Sequence, residues 1–134
     1  MKEYIRPFII AAHGDYDMVE HLLRLEPSLV YVEMDWGAGD VESGLAAAAH
    51  TGNREIAQLL IEHGAPKTLF SQAMLGDLNY VELALERDPA LIHAKGAHGI
   101  SLIRHAQHGG YEAEPVYAYL NQLLEREKLQ CQSN

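Results

Sequence analysis

Eight histidines in 134 residues are the first feature with chemical content. His93, His98, His105 and His108 crowd into the C-terminal part, and His105 and His108 stand three residues apart, which on a helix puts both imidazoles on one face like a metal-ligand pair. A metal-binding or hydrolytic protein using these four histidines is therefore one reading. Against it, no cysteine lies near them, and the helix carrying His105 and His108 offers no carboxylate at ligand spacing. A second cluster is acidic: Glu33, Asp35, Asp40 and Glu42 share the stretch Ser28 to Glu42 with the only tryptophan, Trp36, beside Gly37 and Gly39 and without any basic residue. Its spacing lacks the alternate-residue ligand ladder of a calcium loop. Trp36 is either an aromatic anchor for a partner or a cover folded back over the edge of the core. Ser43, Ser71 and Ser101 sit in no nucleophile elbow, and no glycine loop could cradle a phosphate. No catalytic residue, metal or cofactor is expected.

The elements that carry these side chains read most clearly in Gly44–Ala65. Four consecutive alanines, Ala46 to Ala49, make a thin helix that a neighbour can approach closely. Gly52 ends it in the left-handed conformation, Asn53 caps the next helix, and Ile56, Leu59 and Leu60 form one apolar face before Gly64. So short a hairpin cannot bury its apolar face alone, which predicts stacked copies of it. The copies are present, with alanine three residues before the turn glycine at Gly14, Gly52, Gly76 and Gly109. The first and third match best, Gly14-Asp15 through Glu26-Pro27 against Gly76-Asp77 through Asp88-Pro89.

On these residues the chain resembles an ankyrin-repeat protein, similar in make-up to short bacterial ones, over Pro7 to about Leu124. The turn glycines recur at intervals scattered around the roughly 33 residues of that repeat. The resemblance implies an all-α solenoid of about four helix–turn–helix repeats, near residues 4–30, 42–65, 67–93 and 99–128, in a single domain with a frayed tail over 129–134. The Thr-Pro-Leu-His opening of the family is replaced by Ser43-Gly44-Leu45-Ala46 and Ile100-Ser101-Leu102-Ile103. Almost no room for a β-hairpin finger exists between Ala65 and Leu69, so irregular or shortened fingers are expected. The first helix is placed from near Arg6 or Pro7, where a first-turn proline is tolerated. The last, opened by Glu114-Pro115, has Val116, Tyr119, Leu120, Leu123 and Leu124 on one stripe and a polar outer face suited to capping a stack.

Composition narrows the function. A net charge of −9, from ten Lys and Arg against nineteen Asp and Glu, argues against nucleic acid, which needs a basic stripe. No apolar run is long enough to span a membrane, and the amino terminus lacks a signal-peptide core. With a lone Cys131, a cytoplasmic and monomeric protein is expected.

The resemblance also implies a non-enzymatic protein–protein interaction module that binds a partner, a basic one by charge, through its concave groove and finger loops. Residues before each turn glycine are expected to line the groove: His13, His50, Thr51, Met74, Leu75, Gln107 and His108. Trp36 and His98 are expected on the fingers. The competing reading has Met74 and Leu75 packed under a shortened finger, and the histidines beside turn glycines merely hydrogen-bonded to local backbone.

Overall fold

The computed structural model describes residues 1–133, so Asn134, the end of the expected frayed tail, lies outside the described residues. Helices pair as α1 (Lys2–Ala11) with α2 (Tyr16–Leu25), α3 (Gly44–His50) with α4 (Arg54–Glu62), α5 (Leu69–Leu75) with α6 (Leu78–Arg87), and α7 (Leu102–His108) with α8 (Glu114–Ser133). The chain is thus an all-α repeat solenoid with one small hairpin. The first helices of successive pairs pack side by side, α1 on α3, α3 on α5 and α5 on α7, with α3 also reaching α7.

Each start is dictated locally. Asp15, Ser43, Asn53, Asp77 and Ser101 accept a backbone N–H from the first turn of α2, α3, α4, α6 and α7. Thr68 and Ser71 form a reciprocal capping box on α5. Two first-reading boundaries move. Helix α1 begins at Lys2 rather than at Arg6 or Pro7, so Pro7 lies inside it and forgoes one bond to the Glu3 carbonyl. Buried Phe8 and Ile9, with Tyr4 and Ile5 partly buried beside them, hold the helix in place despite that loss. Helix α8 continues through Ser133, where a frayed tail was expected from residue 129.

The fingers are unequal. Between the first and second pairs, β1 (Glu33–Asp35) and β2 (Val41–Ser43) form a true antiparallel hairpin, with Met34 opposite Glu42. A 3-10 turn, Pro27–Tyr31, stands ahead of it. Between the second and third pairs, residues 65–68 cross without strand or helix. Between the third and fourth, the finger is a single bridge, Lys95 to Ser101, closed by the short turn Ala97–Gly99.

Burial splits into two apolar clusters. One joins Phe8, Ile9, Val19, Leu22, Leu29, Leu45, Ile56 and Leu60, and the other Val81, Leu85, Leu102, Val116 and Leu120. Met74 of α5 belongs to the first and is fully buried. The alanines of α3 work as their size suggests: Ala47, Ala48 and Ala49 have no exposed surface, so α5 and α7 can close on this helix.

The turn glycines share a register but not a reason. Gly52 and Gly76 are left-handed, at φ +70° and +84°, and a Cβ on Gly52 would stand 2.2 Å from the His108 carbonyl oxygen. Gly109 has φ −72°, and its constraint is contact, since a Cβ there would stand 2.0 Å from the Met74 oxygen. Gly14 meets nothing. Gly52→Ala should therefore lose about 1–3 kcal/mol for the left-handed backbone, with the collision against His108 in addition. Gly14→Ala should change stability by less than about 0.5 kcal/mol. Urea unfolding of the two variants decides; equal losses would mean that the ends of α3 and α7 do not meet as described.

Candidate functional site

Strand β2 sends alternate side chains to opposite faces, Val41 outward and Glu42 inward, and immediately delivers Ser43 as the cap of α3. Glu42 is consequently a carboxylate with no exposed surface, lying where the hairpin folds against α1 and α3. Such a charge is tolerated only when fully partnered. The Trp36 indole N–H donates to Oε1 at 2.7 Å, and His50 Nε2 lies 2.7 Å from Oε2. His13 Nε2 and His98 Nε2 each stand 3.3 Å from that same Oε2.

Three elements aim the imidazoles. His13 lies in the turn that follows α1, and its Nδ1 stands 2.8 Å from the Ile9 carbonyl oxygen of that helix. His50 ends α3, its ring edge-on to those of His13 and His98 at centroid distances of 5.1 and 5.0 Å. His98 comes from the third finger with φ +60°, a strained value for a residue with a side chain. That backbone lets one residue grip Asp40 twice, by its N–H to Oδ1 and its Nδ1 to Oδ2, both at 2.7 Å. Asp40 in turn is fixed by the turn of the hairpin, where its carbonyl accepts the Trp36 N–H.

The electrostatics follow the contacts. Burial alone would raise the Glu42 carboxyl, but hydrogen bonds from His50 and Trp36 and the potential of His13 and His50 outweigh it and hold the pKa below the usual value. Desolvation likewise pulls His98 down, and Asp40 and Glu42 more than reverse it, so its pKa lies above the usual value. Asp40 is lowered, chiefly by the His98 backbone N–H. His105 is the opposite case. It is buried against Phe70, with burial pushing its pKa down past the opposing pull of the Ser101 carbonyl.

The site residues expected from sequence divide into three groups. His13, Trp36, His50 and His98 converge on Glu42, and Trp36 is half-buried against the core with the Arg6 guanidinium 5.3 Å from its ring centroid. That favours the covering reading of Trp36. Thr51, Gln107 and His108 are exposed; Thr51 bonds the Ala47 carbonyl, and His108 Nδ1 contacts the His50 carbonyl, which sets Thr51 beside His108. Met74 must be withdrawn as a surface residue, because the first cluster encloses it; Leu75 is half-buried, and its carbonyl and that of Met74 accept from Arg54.

The four-histidine cluster does not assemble. His93 pairs with Glu127 on α8, His105 is buried, and His108 faces α3, so only His98 takes part in the site. The helix of His105 carries no carboxylate at ligand spacing, whereas Glu42 arrives from the hairpin. The available signal was an acid at the inward strand position next to a helix cap.

Among the described residues, no helix is long and apolar enough to cross a membrane. A family model described as Ankyrin repeat matches residues 45–71, from α3 into the start of α5. No curated protein and no solved structure matches the chain.

Two outcomes test this geometry. Trp36→Phe keeps the ring but leaves Oε1 of a buried carboxylate without its donor, and should cost about 1–3 kcal/mol in urea unfolding. For His105, folding disfavours the proton, so the unfolded chain binds more protons between the depressed value and the ordinary 6.5. Its contribution is complete above that pH and is lost as the pH falls below it. Stability measured from pH 7.5 to 5 should decline less steeply in His105→Leu than in the wild type; parallel profiles would mean that His105 is not held neutral.

Proposed function

This chain is an ankyrin-repeat protein, and from that premise we propose that it acts by binding a partner protein, with no chemistry of its own, along the edge formed by the ends of α3 and α7. Repeats of this family are general protein-interaction modules and typically carry no enzymatic activity. The observation that carries the choice of surface is Tyr111, 88% exposed just beyond α7. It lines one cleft with Gln107, Gly110, Glu114 and Tyr117. An aromatic ring left in water is costly to maintain unless something covers it, and tyrosine is over-represented among residues that dominate binding energy.

Thr51 and His108 extend that edge toward α3. Glu112 is neutralised by Arg54 at 3.1 Å, and Glu114 gives the edge negative charge, in keeping with the net −9 of the chain and with a basic partner. The inward side of the hairpin is less suited to direct contact, because Trp36 and Glu42 already satisfy one another there.

Affinity capture of the tagged protein from its native extract should retain a protein that a Thr51→Ala, Gln107→Ala, Tyr111→Ala variant of unchanged helicity loses. Equal retention by both, or retention abolished only by changes at Trp36, would move the binding surface to the hairpin and overturn this assignment.

A further inference from the structure

The arrangement around Glu42 contains a charge mismatch that points to a ligand. His13 Nδ1 lies against the Ile9 carbonyl and His98 Nδ1 against the Asp40 carboxylate, both groups that can only accept, so each Nδ1 carries the ring proton. In their neutral forms both rings then present an Nε2 lone pair to Glu42 Oε2, an anionic oxygen, at 3.3 Å. Lone pairs facing an anion at that distance repel. The arrangement is stable only if positive charge enters between them, either as a second proton on each ring or as one cation shared by all.

We propose that His13, His50 and His98 through Nε2, with Glu42 through Oε2, bind one divalent transition-metal cation, zinc by the character of the donors. The donor atoms of the four residues all lie within 4.8 Å of one another. Zinc bonds to imidazole nitrogen and carboxylate oxygen of about 2.0–2.1 Å, set tetrahedrally, place neighbouring donors about 3.3 Å apart. Two of the three Nε2 to Oε2 distances already have that value, and the third is 2.7 Å. Three imidazoles and one carboxylate suit zinc and its neighbours and are poorly matched to calcium or magnesium, which take all-oxygen shells.

The surroundings are those a metal site requires. A ligating histidine donates its other ring N–H to a carboxylate or a carbonyl, which fixes the tautomer and strengthens the ligand. Asp40 does this for His98 and the Ile9 carbonyl for His13. Trp36 occupies Oε1, and the 2.7 Å hydrogen bond between His50 Nε2 and Oε2 is the contact that the ion would replace, with the His50 ring proton moved to Nδ1. His63 provides an internal contrast: its Nδ1 makes the same bond to its own helix, at Leu59 O, yet it is absent from the cluster. Solvent reaches the site past His13 and His98, whose side chains are 30% and 33% exposed. The ligands come from α1, β2, α3 and the third finger, so the ion would tie the hairpin to the first, second and fourth helix pairs and stabilise the folded chain by its binding free energy.

The test uses untagged full-length protein carrying Cys131→Ser, stripped with chelator and titrated with Co²⁺ and then Zn²⁺. Co²⁺ should quench Trp36, the only tryptophan, with saturation at one equivalent and the visible absorption of a tetrahedral ion, and Zn²⁺ should displace it. At free Zn²⁺ one hundred times Kd the unfolding constant should fall about 100-fold. His13→Gln and His98→Gln should each weaken binding at least about 100-fold and Asp40→Asn about 10- to 100-fold, with His63→Gln and His93→Gln unchanged. Should a ligand variant fail to fold, ¹H–¹⁵N spectra of the wild-type imidazoles decide, with Nε2 of His13, His50 and His98 shifting on Zn²⁺ addition. Absence of saturation at one equivalent, unaltered binding in both His→Gln variants, or shifts confined to other histidines would overturn the proposal and leave two imidazolium protons as the source of the positive charge.

Discussion

A single buried charge organises one face of this molecule. Removing a carboxylate from water costs several kcal/mol unless its oxygens are met by donors or cations. Glu42, with no exposed surface, is met by an indole and three imidazoles from four separate elements. Each of those elements is therefore held by something other than apolar contact. The hairpin has only a three-residue ladder, far too little to order itself in water, and the bonds of Glu42 and Trp36 supply what the ladder lacks.

The same face exists because one finger is missing. With residues 65–68 crossing directly from α4 to α5, nothing stands between the hairpin after the first pair and the turn before α7. Asp40 and His98, 58 positions apart, consequently meet, and His98 takes a left-handed backbone that aims both its N–H and its ring at one carboxylate. Fingers of regular length would keep these residues in separate repeats. The irregular spacing of the turn glycines is thus the origin of the site rather than damage to the repeat. Close approach of α7 to α3 has a related cause, since Gly52 and the small residues of α3 let the His108 turn settle against it.

What sequence could reveal follows the range of the physics. Caps and turns are decided within about four residues, so Asn53 as a cap and Gly52 as a left-handed stop were legible, as was the repeat they delimit. Fully buried Val116 and Leu120 lie on the stripe read for the last helix. Long-range closure was not legible. The inner helices converge at their C-terminal ends, which encloses Met74, and nothing near Met74 in sequence distinguishes a groove lining from a plug. His13 and His50 stand out as groove positions and Trp36 and His98 as finger positions, but their common partner is an acid that reads as one of four finger charges. Only the pairing of Met34 with Glu42, and hence the inward side of β2, makes it different.

Partner binding and the histidine–carboxylate cluster make different demands on the same scaffold. A surface that recognises a protein gains most when its shape is set beforehand, because ordering loops at the moment of contact subtracts from affinity. Here the loops most prone to wander, the hairpin and the third finger, are fastened to each other and to α1 and α3 through Glu42 and Asp40. His50 lies at the junction: its ring belongs to the cluster, while its carbonyl contacts His108 on the edge that carries Thr51, Gln107 and Tyr111. Whatever supplies the positive charge around Glu42 therefore also governs how firmly the end of α3 is held against α7, so the chemistry of the cluster and the shape of the binding edge are linked through one residue.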